Sequence, residues 1–534
     1  RAREKEEIYK TKKINQKTSA SWFFDFYLPK TQNHDKIYYM ATKGTIQNLI
    51  EKVKTYVPKA DTDMIQLAYD FANNAHSGQL RKSGEPYIFH PLATAHILAD
   101  MRIDPSIVIA ALLHDVPEDT EITLNDIDKN FGSEISSMVR GITKLGKLKY
   151  RGVERYIENL RKMFVAMAED IRVMIIKFAD RIHNLTTLEA LPAPKRYRIA
   201  LESLEIYAPI ANRLGMDEFK GRLEDLSFQH VYPKEYQTTK QIREERLKGQ
   251  TSLVHHVLEV TRKELEHSGI KIIDFSGRTK RIYSYYQKLL RKNNYPDKIY
   301  DLIALRAIVP TVADCYAALG IIHQLWKPLK GRIKDFIAQP KPNGYQSIHT
   351  TVFTDTGEIV EFQIRTAEMQ QEAEYGAAAH WHYDEWGSKR PSREIKWVQE
   401  LAEIQRDILN KLSDLEEIKV DFLQTRIFVF TPKGDVIDLP EGATPIDFAY
   451  HIHTTVGDKC NGAIVNEQMT ALDTPLKNGD VIEIVIDKNR KGPSRDWLKF
   501  AKTHTAKMHI KAYFKDQKGI TDWFKTVVTG KKKK

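Results

Sequence analysis

Residues 107–120 read IVIAALLHDVPEDT. Apolar Ile107, Ala110 and Ala111 recur at three- and four-residue spacing up to His114, the period of one helix face. Asp115 follows directly, and Glu118 and Asp119 come one helical turn later, so these polar groups can face the same site. The helical spacing holds from about 45 to 225 with few strand-like alternations, so an all-α domain is expected there. Pro117 lacks a backbone N–H and favours a helix start or kink, which bears on where Glu118 and Asp119 point.

Within this span an ordered set stands out: Arg81-Lys82, His90-Pro91, His114-Asp115, Glu118-Asp119 and Asp180-Arg181 with His183-Asn184. A lone His-Asp pair is usually incidental; the ordered set on helical segments is not. His90, His114, Asp115 and Asp180 offer two imidazoles and two carboxylates from three helices, a donor set for a borderline divalent cation such as Mn2+, Fe2+ or Zn2+. Such a cation acidifies a bound water beside a phosphate. Glu118 and Asp119 are then placed to position that water or move protons, and Arg81 and Lys82 to neutralise phosphate charge.

Between about 250 and 385 the pattern is mixed α/β. Helices are expected at Leu253–Ser268 and Ile282–Lys292, and strands at Lys271–Phe275 and Tyr300–Val309. Ser347–Phe353 and Ile359–Ile364 flank Asp355-Thr356-Gly357, a hairpin signal. Period two puts Glu361 and Gln363 on one strand face and Phe362 and Ile364 on the other. Asp301 and Arg306 are read as lying on the neighbouring strand, where Asp301 and Glu361 can share Mg2+ through oxygen ligands. Arg278, Lys280, Arg281 and Lys288 gather around a helix start and suit a triphosphate clamp, while Tyr345 offers a ring for base stacking.

Residues 386–424 read as a polar helical connector, and 425–487 as a small β-rich domain with strands Arg426–Thr431, Val436–Leu439 and Val481–Ile486. A basic segment that begins a helix follows. Residues 1–39 lack periodicity and are expected to play no part in chemistry.

A length of 534 residues suggests about three or four domains. With 42% hydrophobic and 29% charged residues, disorder over most of the chain is excluded. The longest apolar runs, such as Ile107–Leu113, are too short to span a bilayer, and no segment has signal-peptide order. Two cysteines, Cys315 and Cys460, exclude a disulfide framework or a cysteine-rich zinc site and suit a reducing, cytoplasmic compartment. The net charge of +11 is concentrated at the two ends, so overall basicity says little about nucleic acid.

The stretches HSGQLRKSGEPYIFHP (76–91), LLHDVPEDT (112–120) and KFADRIHN (177–184) resemble the HD-type phosphohydrolase domain of the Rel/SpoT alarmone enzymes. YDLIALRAIV (300–309) and GRIKDFIAQPKPNGYQSIHT (331–350) resemble the synthetase domain of the same family, and 426–466 its β-grasp TGS domain. The resemblance implies a multidomain α and α+β protein: an N-terminal extension (1–44), an HD-type hydrolase domain (45–225), a mixed α/β nucleotidyltransferase-like synthetase domain (226–390), a helical linker (391–424), a TGS domain (425–488) and the start of a truncated helical regulatory domain (489–534).

The implied function is a bifunctional stringent-response alarmone enzyme. It transfers pyrophosphate from ATP to the 3′-hydroxyl of GDP or GTP, giving (p)ppGpp and AMP, and removes the same group by hydrolysis. The resemblance makes His90, His114, Asp115 and Asp180 the Mn2+ ligands, Glu118 and Asp119 the catalytic acidic pair, and Arg81, Lys82 and Asn184 nucleotide contacts. In the synthetase, Asp301 and Glu361 are implied to bind Mg2+, with Glu361 helping to deprotonate the 3′-hydroxyl. By the same resemblance, Arg278 and Arg306 are expected to sandwich adenine, Lys280 and Lys288 to hold phosphates, and Tyr345 to stack on guanine. Lys334, Lys341, Asn343, His349 and Gln363 complete the contacts, and Arg332-x-Lys334-Asp335 resembles bifunctional members. His453 is the implied contact to uncharged tRNA, with the ribosome a partner of longer members and no membrane involved. The alternative is a hydrolase whose second domain only senses nucleotide. A non-enzymatic tRNA- or ribosome-binding module explains less, because it leaves two sets of acidic residues without a role.

Overall fold

The computed structural model describes residues 44–146, 163, 166–167, 169–248, 250–299, 301–341, 343–376, 426–477 and 479–514. The expected N-terminal extension up to 43, the linker 391–424 and the strand residue Tyr300 lie outside the described residues. The chain divides into two compact units, one holding the helical and α/β domains and one holding the β-rich domain.

The helical domain runs through α1 (Ile46–Tyr56), α2 (Thr62–Ala75), α3 (Phe89–Asp100), α4 (Pro105–Leu113), α5 (Val116–Asp119), α6 (Leu124–Phe131), α7 (Ser133–Gly146) and α8 (Arg172–Thr186). Helices α3 and α4 are buried on nearly every side and form the centre of the core. Asp104 caps α4 through the Ser106 N–H at 2.8 Å, with Pro105 in the first turn. Pro117 cannot donate to a carbonyl one turn back, so α4 ends at Leu113 and the short α5 begins with that proline in its first turn. His114 and Asp115 therefore occupy the joint between two helices rather than the middle of one.

Helices α9 (Ala193–Glu202), α10 (Ala208–Arg213) and α11 (Asp217–Val231) follow, then α12 (Pro233–Leu247) and α13 (Gln250–His267). A single π-turn at Ser203–Tyr207 absorbs the missing N–H of Pro209 at the start of α10. Helix α11 packs on α8 and on two elements of the α/β domain, α14 (Ile282–Arg291) and α16 (Ala367–Tyr375).

The α/β domain is built on β1 (Asp274–Thr279), β2 (Ile303–Val309), β3 (Lys327–Pro328), β4 (Lys334–Asp335), β5 (Ile348–Phe353) and β6 (Ile359–Thr366). The sheet order is β1-β2-β6-β5-β3, with β4 also on β5. Only β2 and β6 pair in parallel; the other pairs are antiparallel. The β5–β6 hairpin turns at Asp355–Gly357, where Gly357 has φ 80°. One sheet face is apolar: Phe275, Leu305, Ala307, Phe362, Ile364 and Ile348 pack on α13 and α15 (Val312–Leu325). The other face is polar and carries the site.

Two strand expectations shift. The first strand begins at Asp274 rather than Lys271 and runs on to Thr279, which brings Arg278 onto the sheet. The second begins at Ile303, so Asp301 lies in the loop before it, not on the strand. That loop is set by Asn293 and Asn294 at positive φ, a 3-10 turn at Pro296–Lys298, and the Lys280 N–H bonded to the Leu302 carbonyl at 2.9 Å.

The second unit contains β7 (Arg426–Phe430), β8 (Val436–Pro440), α17 (Pro445–Ile452), α18 (Thr454–Asp458), β9 (Cys460–Val465), β10 (Gln468–Thr470) and β11 (Ile482–Ile486). The hairpin β9–β10 turns on Asn466 and Glu467, both at positive φ, a signal the strand reading passed over. Buried Asp447 closes a capping box with Thr444 and accepts from the backbone N–H groups of Lys502 and Thr503 at 2.8 and 2.7 Å. Trp497, Ala501, Ala506 and Ile510 pack on the same core as Ile446, Ala449 and Tyr450, so residues up to 510 pack against the β-rich domain.

Candidate active sites

In the helical domain, α3 supplies His90, the α4–α5 joint supplies His114 and Asp115, and α8 supplies Asp180. Ligand atoms of His90, His114 and Asp115 lie within 4.8 Å of one another. His90 Nε2 is 3.4 Å from Asp115 Oδ2 and 3.1 Å from Asp180 Oδ1; His114 Nε2 is 3.2 Å from Asp115 Oδ1. His114 Nδ1 lies 2.7 Å from the Ala111 carbonyl, so it carries the proton and Nε2 is a bare lone pair. That buried Nε2 has no hydrogen-bond partner. Burial lowers the His90 pKa and so favours the neutral ring. Burial also disfavours the Asp180 and Asp115 carboxylates, but opposing contacts outweigh it, foremost the Lys177 ammonium beside Asp180, and both carboxyls lie below their ordinary value. An unpartnered His114 Nε2, a His90 ring that burial keeps neutral and carboxylates held low are what a divalent cation requires, so these four residues fit one.

The acidic pair stands beside this cluster. Burial pushes the Glu118 carboxyl up to about 7, against the pull of Lys177, and its Oε1 has no partner. Asp119 accepts from the Tyr87 hydroxyl at 2.6 Å, and the same hydroxyl is 3.0 Å from Asp115 Oδ2. Arg81 Nη2 donates to Asn184 Oδ1 at 2.8 Å, and Asn184 Nδ2 donates to Asp180 Oδ1. Lys82 is exposed on the turn before α3.

Tyr87, Lys177 and His183 belong to this constellation, although the motif reading gave none of them a role. Lys177 was legible at i−3 from Asp180, which it meets at 2.7 Å. Tyr87 meets residues 28 and 32 positions away, which no local pattern shows.

The polar sheet face assembles the second set by register. Gln363 stands opposite Arg306 on one side and His349 on the other, and His349 opposite Lys334. One step along, Glu361 pairs with Ala304, which in turn faces Arg278. Glu361 Oε1 accepts from Gln363 Nε2 at 2.9 Å and lies 3.3 Å from His349 Nδ1. His349 Nε2 is 2.7 Å from the Tyr345 hydroxyl. Lys341 Nζ stands 4.4 Å from the Tyr345 ring centroid, a cation–π contact. Asn343 reaches the Asn212 carbonyl at 3.4 Å.

Asp301 takes both lysines on one oxygen, Lys280 at 2.7 Å and Lys288 by a short contact. Burial raises its carboxyl, but the two ammonium groups outweigh that and hold it at about 2. Its buried Oδ1 has no partner. Burial raises the Glu361 carboxyl and the nearby Asp301 charge adds to that, but the contacts from His349 and Gln363 outweigh both and hold it below its ordinary value. Ionised oxygen donors with one bare buried oxygen fit a hard cation. Arg306 pairs with Glu374 at 3.0 Å. Arg281 turns away from this group to the Glu218 carboxylate on α11. Fully buried Arg365, which the motif reading did not single out, donates to Gln363 Oε1 at 2.8 Å.

In the second unit His453 is exposed at the joint of α17 and α18, where its Nδ1 accepts from the Thr455 N–H at 3.2 Å. Among the described residues no helix is long and apolar enough to cross a membrane.

Family comparisons match three regions: an HD domain at 68–217, the region found in RelA/SpoT proteins at 277–388, and a TGS domain at 427–486. A GTP pyrophosphokinase of Myxococcus xanthus is 45% identical over 87% of this chain and 62% of its own length. A guanosine-3′,5′-bis(diphosphate) 3′-pyrophosphohydrolase of Aquifex aeolicus is 44% identical over 89% of this chain and 67% of its own length. The bifunctional (p)ppGpp synthase/hydrolase SpoT of Escherichia coli K12 is 43% identical over 88% of this chain and 68% of its own. The chain thus spans roughly three fifths to two thirds of the relatives it matches. Among solved structures, a metazoan SpoT orthologue that hydrolyses ppGpp aligns over 31% of this chain and 94% of its own, with 25% identity and a TM-score of 0.27. Similarity across all three domains, at 43% identity to a relative of which it covers 68%, makes this chain a member of the Rel/SpoT family.

Proposed function

We propose that the chain is a bifunctional alarmone enzyme, with a (p)ppGpp 3′-pyrophosphohydrolase in the helical domain and a GTP/GDP pyrophosphokinase in the α/β domain. The observation that carries this reading is two separate acidic constellations, each with a buried ligand atom left bare: His114 Nε2 in one and Asp301 Oδ1 in the other.

In the hydrolase, His90, His114, Asp115 and Asp180 hold the cation, which we assign as Mn2+. Bound there, it supplies an acidified water. Glu118, with its carboxyl near 7, is suited to exchange a proton at neutral pH. Asp119 orients the attack, held by Tyr87. Arg81, Lys82 and Asn184 receive the nucleotide.

In the synthetase, Asp301 and Glu361 hold Mg2+, which neutralises the triphosphate when bound. Lys280 and Lys288 trade their bonds to Asp301 for ATP phosphates. Arg278 and Arg306 flank adenine, and Tyr345, braced by Lys341, receives the acceptor guanine. Glu361 takes the proton of the 3′-hydroxyl, with Gln363 and His349 orienting its oxygens. Lys334 and Asn343 line the acceptor side. A hydrolase with a merely sensing second domain fits less well, because Asp301, Glu361 and Tyr345 all keep chemically competent surroundings.

The exposed His453 is our candidate contact for the end of an uncharged tRNA, on or off the ribosome. A cytoplasmic setting suits Cys315 and Cys460, both buried free thiols. Incubating the purified chain with labelled ATP and GDP, and separately with labelled ppGpp, tests the reading. Formation of ppGpp with AMP in one sample and release of pyrophosphate in the other are expected. Degradation without synthesis would favour the sensing alternative.

A further inference from the structure

His90 makes two of the three close contacts of the cluster, with Asp115 and with Asp180, yet only one of its ring nitrogens faces it. Nε2 points at Asp180 Oδ1 and Asp115 Oδ2, at 3.1 and 3.4 Å. Nδ1 points away and lies 2.7 Å from Nδ1 of His183. A ligating nitrogen must be unprotonated, so His90 has to keep its one ring proton on Nδ1. A bond between two ring nitrogens does not by itself say which ring holds the proton.

Arg81 decides the matter. Its Nη1 lies 3.0 Å from the same Nδ1 of His183. A guanidinium only donates and does not lose its proton, so an N–H on His183 Nδ1 would face another N–H. His183 Nδ1 therefore carries the lone pair, and the His90 Nδ1–H is the donor. The other arm of the same guanidinium accounts for a second ligand. Asn184 Oδ1 accepts from Arg81, so the Asn184 amide nitrogen faces Asp180 and donates to its Oδ1. One cation thus fixes the hydrogen-bond polarity behind two ligands.

We propose that His183 is a positioning residue for the metal ligand His90: it accepts the Nδ1 proton, leaves Nε2 bare for a divalent cation, and is held as an acceptor by Arg81. The inference rests on the metal-site reading above. It separates the role of Arg81 in building the site from its contact with nucleotide, because the former acts with no nucleotide present.

Mn2+ titration calorimetry of the nucleotide-free chain tests it, with His183→Phe, His183→Asn and Arg81→Leu beside the wild type. His183→Phe removes the acceptor and is expected to weaken Mn2+ binding about 10- to 100-fold. His183→Asn places an amide oxygen near the former Nδ1 and is expected to bind close to wild type. Arg81→Leu is expected to weaken binding in the same direction as His183→Phe. Wild-type affinity in His183→Phe overturns the proposal, and so does an equal loss in His183→Phe and His183→Asn, which marks a packing role. If circular dichroism shows that His183→Phe does not fold, Arg81→Leu decides, and unchanged affinity there overturns the proposal. A wild type that binds no Mn2+ instead sinks the metal-site reading itself.

Discussion

Arg281, at the head of α14 in the α/β domain, donates to the carboxylate of Glu218 on α11, the helix that packs on α8, which carries Asp180. Arg222, one turn along α11, reaches the same carboxylate at 2.7 Å. Burial raises the Glu218 carboxyl, but the two guanidinium groups outweigh it and hold it at about 2, below the ordinary 4.5. A carboxyl depressed by folding contributes stability that is complete above its unfolded value and fades as pH falls through its folded one. Glu218→Gln is therefore expected to lose about 1.5–3 kcal/mol at neutral pH. The gap to wild type should narrow as pH drops from 4.5 towards 2. Paired thermal melts across that range check it; a gap constant with pH would contradict it.

Gly376 follows α16 at φ 49°, and a Cβ placed on it would stand 2.1 Å from the Leu214 carbonyl oxygen and 2.4 Å from the Gly215 carbonyl carbon. Backbone, not a flexible side chain, fills that space. Gly376→Ala adds about 1–3 kcal/mol of local strain before any displacement of 214–215 is counted. A lower melting temperature and slower synthesis are expected, since Gly215 abuts the Asn343 carbonyl beside Tyr345. Melting and turnover like wild type would refute this contact.

Glu118 carries the opposite sign. Its folded carboxyl is raised to about 7, so ionising it opposes folding: not at all below about 4.5, increasingly up to 7, and fully above. In metal-free protein, Glu118→Gln is expected to raise the melting temperature at pH 8 and leave it unchanged at pH 4, while ppGpp hydrolysis falls. Active sites commonly trade stability for function in this way. Equal shifts at both pH values would show that the carboxyl is not strained by burial.

Tyr87→Phe deletes only the hydroxyl that joins Asp119 and Asp115. Hydrolysis is expected to fall about 10- to 100-fold, as for loss of other partners behind a metal site. Synthesis should proceed at the wild-type rate. Steady-state assays of both reactions on one preparation decide the matter, and an equal loss of both would point to misfolding.

Much of this was legible in the sequence wherever the signal was local. The alternation of Glu361 and Gln363 with Phe362 and Ile364 placed two polar groups on one sheet face and two apolar ones in the core. The break that Pro117 imposes was legible from its missing N–H. Asp301 reads as strand because YDLIALRAIV has no internal breaker, whereas the turns at Asn293-Asn294 and Pro296–Lys298 that hold it in a loop lie before that stretch. Strands β9 and β10 were passed over because their turn, Asn466-Glu467, lacks a glycine. His183 and Tyr87 act through partners far away in sequence, so their roles appear only when α3, α5 and α8 meet.

The central claim is that two independent sites share one chain. Asp119→Ala and Glu361→Ala, each assayed for synthesis from ATP and GDP and for ppGpp degradation, test it most directly. Loss of degradation alone in the first and of synthesis alone in the second is the expected result. Loss of both activities in either single variant would contradict it.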